Sequence, residues 1–298
     1  MRKFLGVAAL TAVVGLGVFI WASTPQTIDA ASLPAHAGDK ANGQLLYHVG
    51  GCIACHRPAK EDAGKDPALP SGGAPLKTPI GTFYPPNLTP DPETGIGNWT
   101  DLQFVNAMQR GVAPDGRNLI PAFPYTSYTR MKVEDVLDIK AYLMSLPPVK
   151  AESKPADLPI AWLVRRGVGV WKRLALQPPL EPDPSQSEAW NRGFYLVNGP
   201  GHCAECHTPR NILMIGDTSR AFAGGPHPEG KGKVSSLLDL IGRGKYTDVK
   251  DLASALKDGE LGGYENLSSG GMGDVQENLA KLPDAEINAI AEYLSTLK

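Results

Sequence analysis

Four cysteines occur in the 298 residues, and they fall as two pairs, Cys52/Cys55 and Cys203/Cys206, each followed directly by a histidine, His56 and His207. C-x-x-C-H is the attachment pattern of c-type haem. The spacing has a chemical reason. Two thiols one helical turn apart reach two vinyl groups on one porphyrin edge, and the adjacent histidine then lies beneath the ring and binds iron from one side. A thioredoxin-like pair also uses C-x-x-C, but it needs no following histidine and belongs near a βαβ pattern. A Cys2His2 zinc site would lack its remaining ligands within either half. Two covalently bound haem c groups are therefore expected. All four cysteines are then thioethers, which removes cysteine as a distal ligand.

The distal ligands must come from elsewhere. Met272 sits in the segment SSGGMG, ten residues ahead of a final helix at Leu282. A methionine in a flexible loop there can fold over the porphyrin face and reach iron. The matching stretch of the first half, Asn118 to Tyr125, holds no methionine, and the nearest candidate is Met131. By alignment Met131 coincides with Leu282, a core position, so the competing reading is that Met131 packs and the first iron is open or differently ligated. Met108 and Met144 lie in amphipathic helices and read as core. His48 and His202 lie too close before the attachment sites to reach the opposite face easily, and His36 and His227 read as exposed loop residues.

The elements that must position these groups repeat once along the chain. Gly43 to Tyr47 precedes the first pair and Gly193 to Val197 the second, each a short helix leading into a glycine-rich turn. Trp99-Thr-Asp101 leads into a helix ending at Gly111, and Tyr246-Thr-Asp248 into one ending at Gly259; a capping Thr or Asp opens each and Gly closes it. Apolar residues at 136, 139, 143 and 146, and again at 287, 290, 294 and 297, follow helical spacing. No stretch alternates well enough to demand a sheet. The fold class expected is all-α, with two tandem domains of three main helices and long loops, at residues 39–150 and 187–298. Loops of that length need a bulky group at the centre to organise them. A proline-rich linker, residues 151–186, joins the two. Inside it, residues 160–174 alternate apolar and basic positions at helical spacing, which suits a helix lying across both domains, or a docking surface for a partner subunit or the membrane.

Ahead of all this, Arg2 and Lys3 precede a 19-residue uncharged run, residues 4–22. A signal peptide core is roughly 7–15 residues long, whereas a spanning helix needs roughly 20. The flanking residues offer no clean small-residue cleavage site. Residues 1–22 thus read as an uncleaved membrane anchor, with a cleaved signal as the competing reading, and residues 23–38 as a tether. The basic end stays in the cytoplasm, which places the rest outside it. The net charge of −2 leaves no basic excess to grip phosphates, so nucleic acid is not an expected partner.

Taken together, IGTFY at 80–84, PNLTPDPETGIG at 86–97, PAFPY at 121–125 and GHCAECHTPRN at 201–211 resemble the dihaem, class I–type cytochrome c subunits that serve membrane-bound bacterial dehydrogenases for alcohols, aldehydes and sugars. The resemblance covers nearly all of residues 39–298. It implies His/Met ligation of low-spin haems, with His56 and His207 as proximal ligands and Met272 as the second distal ligand. Many relatives have methionine where this chain has Phe123, which leaves Met131 as the substitute for the first distal ligand. Many also carry a third haem module that is missing here. The implied function is electron transfer from a dehydrogenase catalytic subunit to a quinone, another cytochrome or an oxidase, on the periplasmic side of the bacterial inner membrane. With Met opposite His no coordination site remains for substrate, so an electron-transfer subunit is expected and not an enzyme. The rivals are a dihaem peroxidase with one open iron, a thiosulfate-oxidising cytochrome, and a free periplasmic shuttle.

Overall fold

The N-terminal apolar run forms one helix, α1 (Arg2–Ala22). Its uncharged stretch from Phe4 to Ala22, with mean hydropathy 2.3 and none of it buried, is long and apolar enough to cross a membrane. The structure is a computed structural model and describes residues 2–60, 62, 64–78, 81–227, 232–259 and 271–298. After α1 come α2 (Lys40–Val49), α3 (Cys52–His56), the hairpin β1 (Leu76–Thr78) and β2 (Gly81–Phe83), α4 (Asp101–Arg110), α5 (Tyr125–Tyr128), α6 (Val133–Leu143) and α7 (Ala161–Ala175). The chain continues with α8 (Glu188–Asn198), α9 (Ala204–His207), the hairpin β3 (Gly225–Pro226) and β4 (Lys233–Val234), α10 (Val249–Asp258), α11 (Met272–Leu279) and α12 (Asp284–Ser295). Helix dominates, as expected. The two small antiparallel hairpins are an addition, each paired over only two or three residues, too short for an alternating pattern to show.

Capping chemistry sets the helix starts. Asp39 accepts from the backbone N–H groups of Ala41 and Asn42 to open α2, and Thr100 with Gln103 forms a reciprocal capping box on α4. Asp248 accepts from Lys250 and Asp251 to open α10. Gly111 and Gly259 close α4 and α10 in the left-handed conformation, at φ 55° and 86°, where a side chain would be strained.

Two helix crossings repeat in the same form. A Cβ added to Gly43 of α2 would lie 1.9 Å from the Asp138 carbonyl oxygen of α6, and one added to Gly193 of α8 would lie 1.9 Å from the Ala289 carbonyl oxygen of α12. Backbones this close need glycine. Around these crossings Leu46, Phe104, Val136 and Leu143 join Leu196, Leu252, Ile287 and Leu294 in one continuous core. Of the positions read at helical spacing, 136, 139 and 143, and 287, 290 and 294, are buried, whereas Leu146 and Leu297 lie past the ends of α6 and α12 and are only partly buried.

Helix α7 ties distant parts together. Lys172 is buried and donates to the Arg110 and Gly111 carbonyl oxygens at 2.7 and 3.2 Å, at the C-terminal end of α4, where a cation meets the negative end of the helix dipole. One residue earlier, Trp171 Nε1 donates to the Leu213 carbonyl oxygen at 2.7 Å. The linker helix therefore lies across both parts of the chain.

Two expectations need correction. Met144 is 39% exposed at the end of α6, not core, because it falls just past the last buried turn at Leu143. His36 is not a bare loop residue: its Nε2 lies 2.5 Å from Oδ1 of the buried Asp138. That carboxylate also accepts from the Asp39 N–H and from Asn42 Nδ2. The hydrogen bond to Asp138 raises the His36 pKa, while burial that would raise Asp138 is outweighed by these donors, which lower it. The raised histidine contributes stability that is complete below its ordinary value of 6.5 and is lost as pH rises through the raised value. The lowered carboxylate contributes stability that is lost as pH falls through its depressed value. H36Q is accordingly expected to lower the unfolding temperature in mildly acid buffer and to match the wild type in alkaline buffer. Thermal scans across pH check this, and a difference that persists unchanged into alkali contradicts it.

Candidate functional site

Both C-x-x-C-H segments fold as single helical turns, α3 and α9, delivered by α2 and α8 through glycine turns. Gly51 takes φ 54° before Cys52, and His202 takes φ 41° before Cys203. In each turn the histidine is buried, at 8% exposure for His56 and 7% for His207. His56 Nδ1 lies 2.8 Å from the Pro86 carbonyl oxygen, and His207 Nδ1 lies 2.7 Å from the Ser235 carbonyl oxygen. A carbonyl only accepts, so each Nδ1 carries its proton and each Nε2 is the nitrogen with a lone pair. Burial pushes the His56 pKa down to about 4 against the opposing pull of Pro86, and lowers that of His207 in the same way. Both imidazoles are therefore neutral, fixed in tautomer and oriented, as a metal-ligating histidine must be.

The loop that supplies the Pro86 carbonyl is itself locked. The buried Asn87 donates from Nδ2 to the Val149 carbonyl oxygen at 2.7 Å and accepts from the Thr89 hydroxyl at 2.8 Å. Gly95 and Gly97 lie where a Cβ would strike the Thr89 and Pro90 carbonyl oxygens at 2.1 and 2.4 Å. The PNLTPDPETGIG segment thus holds the carbonyl that orients His56.

The first cysteine of each pair is a poor thiolate. Burial pushes the Cys52 and Cys203 thiols up to about 12, the reverse of the depressed values that redox-active thiolates show. Among the described residues no three His, Cys, Asp or Glu side chains gather as a metal cage. Among the described residues four buried donors lack a partner, the Tyr47 and Ser71 hydroxyls, Arg130 Nε and Arg210 Nε. Burial raises the pKa of the Tyr47 hydroxyl, and nearby Cys52 adds to the shift. Buried polar groups of this kind normally have partners, and porphyrin propionates are acceptors for them. An oriented neutral histidine directly after each cysteine pair, with unmatched buried donors, fits a covalent haem better than a redox dithiol.

The two motifs face one another. His202 Nε2 lies 3.2 Å from the Gly50 carbonyl oxygen, and its ring meets Tyr128 edge-on at 5.8 Å. Glu205, between the second pair of cysteines, accepts hydrogen bonds from Thr126 and from Ser127 (3.0 Å) and pairs with Arg210 at 2.6 Å. Burial pushes this carboxyl up, but Arg210 and the hydroxyl donors outweigh it and hold it below the ordinary range. The Tyr195 hydroxyl, on α8, bonds Asp135 and accepts from the Lys132 N–H. Glu205 and the two carbonyls were not among the residues singled out by sequence. Any residue can present a carbonyl, and Glu205 occupies a free position of its motif, so neither leaves a signal.

The methionines fall in two kinds of place. Met131 is 1% exposed and packs in the core, its Cγ 3.4 Å from where a Cβ on Gly199 would lie. Met272 is not in a loop: it is the first residue of α11, half-buried against the same core. Residues 260–270, which lead into it, lie outside the described residues, as does Ile80. Val275 and the buried Leu279 draw α11 onto the core as a separate helix ahead of the final one, which begins at Asp284. Phe123, where relatives are expected to have methionine, packs against Tyr128 at 5.4 Å.

Residues 40–147 match the cytochrome c family. Over its length the chain is 37% identical to the "Diheme cytochrome c-type" of Cereibacter sphaeroides, covering 99% of this chain and 98% of that one. The chain belongs to the cytochrome c family. As such, this cytochrome binds haem c covalently. It is also 35% identical to the "Fructose dehydrogenase cytochrome subunit" of Gluconobacter japonicus over all of its own length and 60% of that protein's. A "Gluconate 2-dehydrogenase cytochrome c subunit" of Pantoea cypripedii is 36% identical over 89% of this chain and 62% of its own. The cytochrome thus spans nearly the whole of the first relative and about three fifths of the dehydrogenase subunits.

Proposed function

We propose that this cytochrome carries two haem c groups in tandem cytochrome c domains, residues 39–150 and 187–298, and relays electrons from a partner dehydrogenase to a quinone, another cytochrome or an oxidase. The reading rests on one observation above all. Two buried, neutral histidines, each following a cysteine pair, are held by a backbone carbonyl in the same tautomer. In this reading Cys52 and Cys55 hold the first haem and Cys203 and Cys206 the second, with His56 and His207 as proximal ligands and Met131 and Met272 as distal ones. Bound haem would supply one-electron transfer at iron, and a methionine ligand would raise its potential. The protein's share is orientation and burial. The contact of His202 with Gly50, and of Glu205 with Thr126 and Ser127, keeps the two attachment turns side by side, which suits passage of electrons between them.

Similarity to dehydrogenase cytochrome subunits supports an electron-transfer subunit over a peroxidase or a thiosulfate-oxidising enzyme. The apolar helix α1 suits an anchor in the inner membrane, with everything after residue 22 on the periplasmic side and residues 23–38 as the tether. The test is to tag the C-terminus, solubilise membranes gently and identify what co-purifies while following haem reduction. A dehydrogenase whose substrate reduces both haems is the expected result. A protein that comes alone, with peroxide reoxidising its reduced haems in turnover, overturns the reading.

A further inference from the structure

The exposed apolar side chains of this protein are not scattered. Outside α1, eight large apolar residues are exposed among the described residues, and seven of them are Ile160, Trp162, Leu163, Leu174, Ile212, Leu213 and Met214. Four lie on or at the start of α7, and three lie on the loop that the Trp171 indole binds. Leu213 and Met214 are 51% and 56% exposed and Ile212 is 98% exposed. An apolar cluster of this kind, on a surface that otherwise hides such residues, marks a place covered by something.

What covers it is indicated by where α1 ends. Arg173 of α7 donates from Nε to the Ala22 carbonyl oxygen at 2.8 Å, and its guanidinium lies 4.6 Å from the Trp21 ring centroid. Arg166 donates to the Ser23 hydroxyl at 3.2 Å. A Cβ on Gly169 would meet the Ser23 carbonyl oxygen at 2.4 Å, and Ser23 is wholly buried. The last turn of the apolar span is therefore pinned to α7, and the helix cannot stand far from the bilayer that α1 enters.

The pattern on α7 agrees. Val168, Gly169, Lys172 and Ala175 face the protein. Leu163, Gly167 and Leu174 lie on the opposite side at helical spacing. No acidic residue occurs between 160 and 175, and Arg166 and Arg173 border the apolar side. Tryptophan, arginine and an apolar stripe together are the composition of helices that lie in the membrane interface.

We propose that α7 and the Ile212–Met214 loop lie in the outer headgroup layer of the bilayer, with Leu163, Leu174 and Leu213 in the acyl boundary, so that the haem-bearing part of the cytochrome is held flat on the membrane. This rests on the reading of α1 as an anchor. It limits rotation about the span and sets the distance from each attachment turn to a membrane-borne donor or acceptor. The haem-loaded full chain provides the test, since its own cysteines are consumed as thioethers. L163C, L174C, L213C and, as a monitor of α1, L10C each receive a benzophenone on the new thiol. The proteins are placed in phosphatidylethanolamine–phosphatidylglycerol vesicles, alone or with the co-purified dehydrogenase, and illuminated.

Lipid adducts at 163, 174 and 213, seen by mass spectrometry with and without the dehydrogenase, are the expected result. Loss of all three adducts while L10C still gives one overturns the proposal and leaves the anchor standing. Crosslinks from these positions to the dehydrogenase in place of lipid also overturn it and make the patch a subunit contact. Failure at L10C alone, with the residue missing or without a lipid adduct, overturns the anchor; the other three positions then decide between a peripheral interfacial helix and none.

Discussion

The variant C203A/C206A is expected to retain half of the covalently bound haem of the wild type, one group per chain in place of two. The thioethers are what survive denaturation, so a haemochrome assay on unfolded protein counts them directly. His207 stays fixed by Ser235, but an imidazole alone releases haem when the chain unfolds. The reciprocal variant, C52A/C55A, is expected to lose the other half. A wild type with a single group overturns the count of two. The same preparations separate the distal ligands. M272A is expected to lose one of two sulfur-to-iron charge-transfer bands and to lower one potential, within the roughly 0.8 V range over which axial ligands act. M131A is expected to do the same at the other haem. If both bands survive M131A, the 1% exposure of Met131 reflects packing alone, and the first iron has another partner.

Why the first distal ligand is the harder assignment is visible in the residues. C-x-x-C-H is a local pattern, because both thiols and the proximal histidine act within one turn. The helix starts at Thr100 and Asp248 and the stops at Gly111 and Gly259 are local as well, and sequence read them correctly. A distal ligand comes from far along the chain, and methionine serves equally as ligand and as core filler. The structure adds to this by placing Met272 at a helix start and not in a loop, since Val275 and Leu279 give α11 an apolar face too short to register as periodic. The Pro86 and Ser235 carbonyls are invisible to sequence for a different reason. Their role depends on backbone position, fixed by turns such as the one that Asn87 locks. His36 shows the converse case: a polar residue in an irregular segment finds a buried carboxylate 102 residues away, and nothing local announces it. The linker helix was legible as amphipathic, but which side meets the protein was settled only by Lys172 reaching α4 and Trp171 reaching Leu213.

The largest effect on stability is expected at the two helix crossings. G43A and G193A each add one methyl group, and at both positions it would sit 1.9 Å from a backbone carbonyl oxygen of the partner helix. A side chain could swing away, but a helix carbonyl cannot, so α2 must part from α6, or α8 from α12. Overpacking costs about 1–3 kcal/mol and at times more, and a backbone obstacle puts these two at the upper end. At about 3 kcal/mol, and roughly 2–4 °C per kcal/mol in a protein of this size, the unfolding temperature should fall by roughly 6–12 °C. Removing a glycine from a helix interior would by itself add about 0.5–1 kcal/mol of stability, so the observed loss is net of that gain. The control is G167A in α7, where an added Cβ meets nothing within 4 Å. There the propensity gain acts alone, and the protein should be as stable as the wild type or slightly more so. Thermal scans of the three haem-loaded variants make the comparison. If G193A and G167A unfold together, the crossings have room to open and the glycines are not what sets them. If G43A and G193A both fall while G167A does not, the two crossings are equivalent in energy as well as in form.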